Sequence, residues 1–158
     1  MCVVQLLNTK YQLFLVSVYV EPTNDMNNTL NHLELFLKGH ANKHIIIGGD
    51  FNGWHTAWGS NISNKRGRNV HDIIMSNDLV VFNDGKLPTF ETVTHGTSRS
   101  SFIDLTMASA NISNKIDGWQ VNMNACPSSE HNAIDFRLKL NNDTLHRKKE
   151  IYDLQIQH

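Results

Sequence analysis

The sequence predicts a layered α/β sandwich on three observations: a β-branched run that ends in glycines, apolar stripes at helical spacing between such runs, and a strand-rich second half. With 158 residues, 40% of them hydrophobic and 18% charged, the composition is that of one globular domain around a single core.

The elements follow in order. Residues 2–7 and 11–20 are β-rich runs separated by Asn8-Thr9-Lys10, the spacing and chemistry of a hairpin. Glu21-Pro22-Thr23-Asn24 breaks the second strand, and Asn24 or Asp25 can cap a helix. Leu30, Leu33, Phe36 and Leu37 recur at helical spacing up to Gly39, a suitable residue just past a helix end. Ile45, Ile46 and Ile47 then form a continuous β-branched run, the pattern of a strand buried on both faces. A loop holding Trp54, His55 and Trp58 leads through Arg66-Gly67-Arg68 into a second helix striped by Val70, Ile73 and Ile74. Residues 79–82 read as a short strand, Pro88-Thr89-Phe90 as the start of another, and 96–100 as a polar turn. Residues 101–107, 119–121 and 133–138 complete the strands. The domain is expected over 1–140. Residues 141–158, with the basic run His146-Arg147-Lys148-Lys149, read as a polar tail or linker.

A formal net charge of −1 provides no global basic field of the kind that drives tight, sequence-blind duplex binding, although it leaves nucleic acid open as a partner. Two cysteines, Cys2 and Cys126, are too few and too distant for a disulfide framework or a zinc site, which fits a reducing intracellular setting. The N-terminus has no signal-peptide pattern, and no stretch reaches the roughly 18 apolar residues of a membrane span. A membrane partner is not expected.

The segment Gly48-Gly49-Asp50-Phe51-Asn52 carries the strongest chemical signal. Glycines let the backbone turn where the strand ends, and the alternate spacing of Asp50 and Asn52 points both side chains one way. A carboxylate beside a carboxamide suits water activation next to a phosphate, with Asp50 accepting a proton and Asn52 donating to an anionic oxygen. The bland alternative is an Asx turn closing the strand. Tyr19 at a strand end, Asp104 amid apolar neighbours and Glu130-His131 before the last strand join them at positions where α/β folds place chemistry. An Asp104–His131 pair would fix the imidazole tautomer so that the ring can hold a phosphate oxygen.

Taken together, these residues resemble the endonuclease/exonuclease/phosphatase superfamily, and within it the apurinic-like endonuclease domain of non-LTR retrotransposons of the R1/TRAS class. The resemblance runs from Tyr11 to Leu140 and rests on motifs in order: Tyr19 with Pro22, Gly49-Asp50-Phe51-Asn52, His55 with Trp58-Gly59-Ser60, Arg66-Gly67, Pro88-Thr89-Phe90, Ser101-Phe102-Ile103-Asp104-Leu105-Thr106, Trp119 and Ser129-Glu130-His131. It implies metal-dependent phosphodiester hydrolysis that nicks one DNA strand. Asp50, Asn52, Asp104, His131 and Tyr19 would be the catalytic set, and Asn52, His131, Trp54 and Arg66 would contact DNA. Mg²⁺, or Mn²⁺, is the implied cofactor, with Glu130 in the place of the family's metal-side aspartate. A following reverse transcriptase and a nuclear location are implied for the full element. The same resemblance expects an N-terminal half sheet bearing the principal metal-binding glutamate, which falls outside these residues, so an incomplete copy of weak or no activity is expected. The alternative is an inactive fragment acting as an interaction module through an exposed sheet edge.

Overall fold

The structure, a computed structural model, describes residues 1–7, 12–22, 26–139 and 146–148. The expected turn at Asn8-Thr9-Lys10 and the cap at Asn24 or Asp25 lie outside the described residues, as does most of the expected tail.

Strands β1 (Cys2–Leu7) and β2 (Gln12–Tyr19) pair antiparallel, Cys2 opposite Ser17 and Leu7 opposite Gln12. Helix α1 (Met26–Gly39) then crosses over so that β3 (His44–Asp50) lies parallel to β2. Helix α2 (Lys65–Ser76) leads to β4 (Leu79–Val81). The hairpin β5 (Phe90–Thr94) and β6 (Thr97–Ser101) stands apart as its own two-stranded sheet. Strand β7 (Asp104–Ser109) returns antiparallel to both β3 and β4. The one-turn helix α3 (Ala110–Ser113) precedes β8 (Ile116–Asn122) and β9 (Ala133–Leu138), which pair with each other. Backbone pairing adds β10 (His146–Lys148) at the free edge of β1, so the described sheet order is β10-β1-β2-β3-β7-β4. The layered α/β sandwich read from the sequence is thus the observed architecture.

Side-chain parity along the strands builds the two faces. Phe14, Val16 and Val18 of β2 with Val20 just beyond it, Ile45 and Ile47 of β3, and Leu105 and Met107 of β7 meet Leu30, Leu33 and Leu37 of α1 and Val70, Ile73 and Ile74 of α2 in the main core. Full burial of such a side chain contributes about 1.5–3 kcal/mol. Leu13, Ile46, Ala108 and Ile112 face the other way and form a smaller cluster with Leu138 and Ile116. Farther along this second face, Leu15 and Phe136, each 36% exposed, border an open groove of about 490 Å³ with Gly48, Gly49 and Thr106.

Several boundaries differ from the sequence expectation: β8 runs longer than 119–121, β10 lies within the residues read as a tail, and two others have a visible cause. Residues 97–101 are strand β6, because His95 and Gly96, with φ of 51° and 75°, make a tight hairpin turn of the left-handed kind. Strand β7 starts at Asp104 and not at 101, because the N–H groups of Ile103 and Asp104 donate to the Thr89 hydroxyl, at 3.0 and 2.9 Å.

Candidate active site

Sheet register sets one row of polar side chains. Tyr19 of β2 lies opposite Asp50 of β3, and Asp50 lies opposite Asp104 of β7. All three follow the parity of the face turned away from α1 and α2, so neighbouring strands present them side by side at one end of the sheet. Gly49 permits this approach: with φ of 157°, a Cβ there would stand 1.9 Å from the Val18 carbonyl oxygen.

Past Asp50 the chain folds back on its own carboxylate. The Asn52 N–H donates to Asp50 Oδ1 at 2.9 Å, and Asn52 Nδ2 donates to Asp50 Oδ2 at 2.8 Å and to the Val20 carbonyl at 3.0 Å. Both neighbours of Nδ2 are pure acceptors, which settles the amide orientation. The expected donation from Asn52 to an anionic oxygen therefore needs correction. Its amide hydrogens are spent inside the protein, and its carbonyl oxygen is the atom that can address a ligand. The Asx-turn alternative is present too, as the local scaffold of the site.

His131 closes the row from the loop after β8. Its Nδ1 lies 3.1 and 3.0 Å from the two carboxylate oxygens of Asp104, which accept, so Nδ1 carries the hydrogen and Nε2 is directed elsewhere. The Phe90 ring packs edge-on to the imidazole at 4.9 Å. Ligand atoms of Asp50, Asp104 and His131 all lie within 4.8 Å of one another. Burial, with the Asp104 charge alongside, raises the Asp50 carboxyl above its ordinary value of 3.8, against the opposing hydrogen bonds from Asn52 and the pull of His131.

Behind the row stands a layer that sequence reasoning missed. Thr89, fully buried, fixes the start of β7 through the two N–H groups that its hydroxyl accepts. Asn83, 7% exposed, donates to the Asp104 carbonyl and accepts from the Thr106 N–H, each at 2.9 Å. Asn132 ties the His131 loop to the same place, its N–H on the Thr89 carbonyl at 2.8 Å and its Nδ2 on the Pro88 carbonyl at 3.0 Å. A polar residue such as Asn83, two positions after the short strand at 79–81, carries no signal in sequence until its partner on β7 is known.

A profile of the endonuclease-reverse transcriptase family matches residues 13–135, which contain every residue of this row. The chain belongs to that family. Among solved structures, the endonuclease domain of TRAS1, a telomere-specific non-LTR retrotransposon, is 31% identical with a TM-score of 0.81, covering 87% of this chain and 63% of that one. The 3′ phosphatase NExo from Neisseria, in a structure bound to a product DNA hairpin, shares the fold at 13% identity and a TM-score of 0.65, covering 88% of this chain and 65% of that one. This endonuclease-reverse transcriptase family chain therefore spans just under two thirds of the length of either. No curated protein is significantly similar in sequence. No helix among the described residues is long and apolar enough to cross a membrane.

The other expected site residues of this family member lie around the row. Glu130 does not join it: its carboxylate accepts from the Thr92 hydroxyl of β5. Trp54, 43% exposed, borders a pocket of about 320 Å³ with Ile62, Phe102, Ser60 and Ser101. The Ser60 hydroxyl there is buried with no partner among the described residues. Trp58 is fully buried, its Nε1 donating to the Gly53 carbonyl at 3.2 Å, and serves packing. His55 accepts the Ala57 N–H at 3.1 Å and stacks on His71 at 4.3 Å; burial, then His71 and Arg68, lower its pKa and favour the neutral ring that this cap requires. The guanidinium of Arg66 meets backbone carbonyls of the segment that follows β2.

Proposed function

We propose that this chain carries the phosphodiester-cleaving site of a DNA-nicking endonuclease domain from a non-LTR retrotransposon, as the likeness to the TRAS1 endonuclease suggests. The observation that carries the reading is the row Tyr19, Asp50, Asp104, closed by the His131 imidazole. In it Asp50 takes the proton of the attacking water, and the Asn52 carbonyl oxygen accepts that water's other hydrogen. His131, held through Nδ1 by Asp104, presents Nε2–H in its protonated form to a non-bridging phosphate oxygen, and Tyr19 donates to a second. The water oxygen joins phosphorus as the bond to the 3′ oxygen breaks, and the departing oxygen takes a proton from solvent water, leaving a 5′-phosphate and the 3′-hydroxyl that a reverse transcriptase in the full element would extend.

The donors fit a hard divalent cation, Mg²⁺ or Mn²⁺, since two carboxylates converge beside the His131 imidazole, and the charge that burial and then Asp104 disfavour on Asp50 is what a cation would offset. Asp50 and Asp104 would hold it, and Glu130 would reach it only by leaving Thr92. When bound, the cation supplies positive charge beside the developing phosphate charge. Added Mg²⁺ or Mn²⁺ is expected to raise the thermal midpoint of the wild-type protein but not of Asp50→Asn, as ligand linkage requires. Equal midpoint shifts in the two proteins would remove the cation from this site.

The decisive experiment is nicking of supercoiled plasmid in Mg²⁺ against an Asp50→Ala control. Cleavage by the chain alone is expected to be weak, because two carboxylates hold Mg²⁺ loosely, and equal nicking by the control would reject the assignment. Trp54 is assigned to a nucleobase in the pocket that it borders. Trp54→Ala should weaken single-stranded DNA binding by about 1–3 kcal/mol, the range of one base–aromatic stack, read by fluorescence titration. An unchanged affinity returns Trp54 to a packing role.

A second reading, an interaction module, rests on the open groove with exposed Leu15 and Phe136, an apolar sheet face that a second copy of the chain can cover. It predicts concentration-dependent self-association in light scattering that Leu15→Lys abolishes. A monomeric wild-type protein at all concentrations counts against it.

A further inference from the structure

Arg66 stands in the first turn of α2, where Lys65, Arg66 and Arg68 gather without any acidic residue. Helix dipoles disfavour cations at this end, so the arginine stands against local preference. Its contacts account for it. Nη1 donates to the Glu21 carbonyl at 3.0 Å and Nη2 to the Pro22 carbonyl at 2.8 Å, a two-pronged hold that a planar guanidinium is suited to make.

The residue just before this grip is wired into the site. Val20 donates its N–H to the Asp50 carbonyl at 2.8 Å, and its own carbonyl accepts from Asn52 Nδ2. The same helix turn also holds the chain on the far side of Asn52. Asn64, the cap of α2, accepts from the Trp54 and Gly67 N–H groups and donates its own N–H to the Trp54 carbonyl. Gly67 packs so closely there that a Cβ would lie 1.9 Å from the Trp54 carbonyl oxygen. One helix turn thus spans both backbone segments that flank the Asp50–Asn52 unit.

We infer that Arg66 is a positioning residue for the proposed reaction, holding the end of β2 so that Tyr19 and the Asn52 carbonyl oxygen keep their places. One N–H of each outer nitrogen goes to a main-chain oxygen, so the guanidinium acts through the backbone that leads to Val20 and Asn52. The catalytic part of the inference rests on the hydrolytic reading above, whereas the structural part does not.

Amide hydrogen exchange tests it without any need for cleavage. Arg66→Ala is expected to speed exchange at the Val20 and Asn52 amides at least tenfold while leaving Val16 and Ile47 in the core strands unchanged, with Arg66→Lys intermediate. Where nicking is measurable, Arg66→Ala should lower kcat about 10–100-fold with KM and the salt dependence of DNA binding unchanged, because misplacement of a reacting group by about 1 Å costs on that order. Millimolar guanidinium should restore part of the lost rate. Unaltered exchange at Val20 and Asn52 overturns the inference. So does a shallower salt slope with unchanged kcat, the mark of a lost phosphate contact. An inactive wild-type protein would sink the proposed reaction while the exchange measurement still decides the role of Arg66.

Discussion

Asp50→Ala should lower the rate of phosphodiester cleavage by about 10²–10⁴-fold, the usual worth of a positioned general base, while the protein stays folded. Asp50 sits between Tyr19 and Asp104 in strand register and also anchors Asn52. Its removal therefore takes away the proposed proton acceptor and releases the Asn52 loop together. The same carboxylate strains the fold. Because burial raises its pKa above the unfolded value of 3.8, the folded state keeps the proton longer than the unfolded one. Stability is then highest, for this group, below 3.8 and declines as pH rises through the raised folded value. Asp50→Asn removes the ionisation, so its thermal midpoint minus that of the wild type should grow as pH is raised from about 3 toward 7 in metal-free buffer. A flat difference across that range would mean that the site does not oppose the Asp50 charge. A functional group held at a cost to stability is what a catalytic role predicts and an idle Asx turn does not.

Thr89→Val should destabilise the protein by about 2–4 kcal/mol, the lower part of the range for orphaning two buried N–H groups at about 1–3 kcal/mol each. Valine matches threonine in shape, so the loss is that of the hydroxyl alone. That hydroxyl accepts from Ile103 and Asp104 in a fully buried place, and the bond to Asp104 is only partly buried, which lowers the expectation below the sum. Thr89→Ser keeps the acceptor and should cost only about 1 kcal/mol for the missing methyl. Urea denaturation of the three proteins reads the order directly, and equal losses in the serine and valine variants would refute it. Of the 5–15 kcal/mol that stabilises an ordinary domain, the valine loss is a large share. Because Asp104 starts β7 where Thr89 holds it, cleavage should fall in Thr89→Val and persist in Thr89→Ser.

Much of this molecule is legible in its residues. Ile45, Ile46 and Ile47 do read as a strand buried on both faces, since Ile45 and Ile47 enter the main core and Ile46 the smaller one. The stripes Leu30, Leu33, Leu37 and Val70, Ile73, Ile74 are the buried faces of α1 and α2. Local periodicity suffices for such elements, because one side of each must leave water wherever its neighbours lie. The hairpin strand at 97–101 was illegible for the converse reason. Its residues are almost wholly exposed, so no apolar alternation marks a strand that only its partner β5 defines.

Within the site, the sequence by itself determined which groups are present: a carboxylate and carboxamide at a glycine-ended strand, a second carboxylate among apolar residues, and an imidazole in a loop before the last strand. Tertiary structure alone decided how they meet. The pairing of Tyr19 with Asp50 and of Asp50 with Asp104 is a matter of strand register, and a slip of one residue would send each to the opposite face. The hydrogens of Asn52 go to Val20, 32 residues away, and the guanidinium of Arg66 goes to Glu21 and Pro22 across the fold. Side-chain type is a property of one position, whereas hydrogen-bond partnership belongs to two positions brought together by packing of the whole chain.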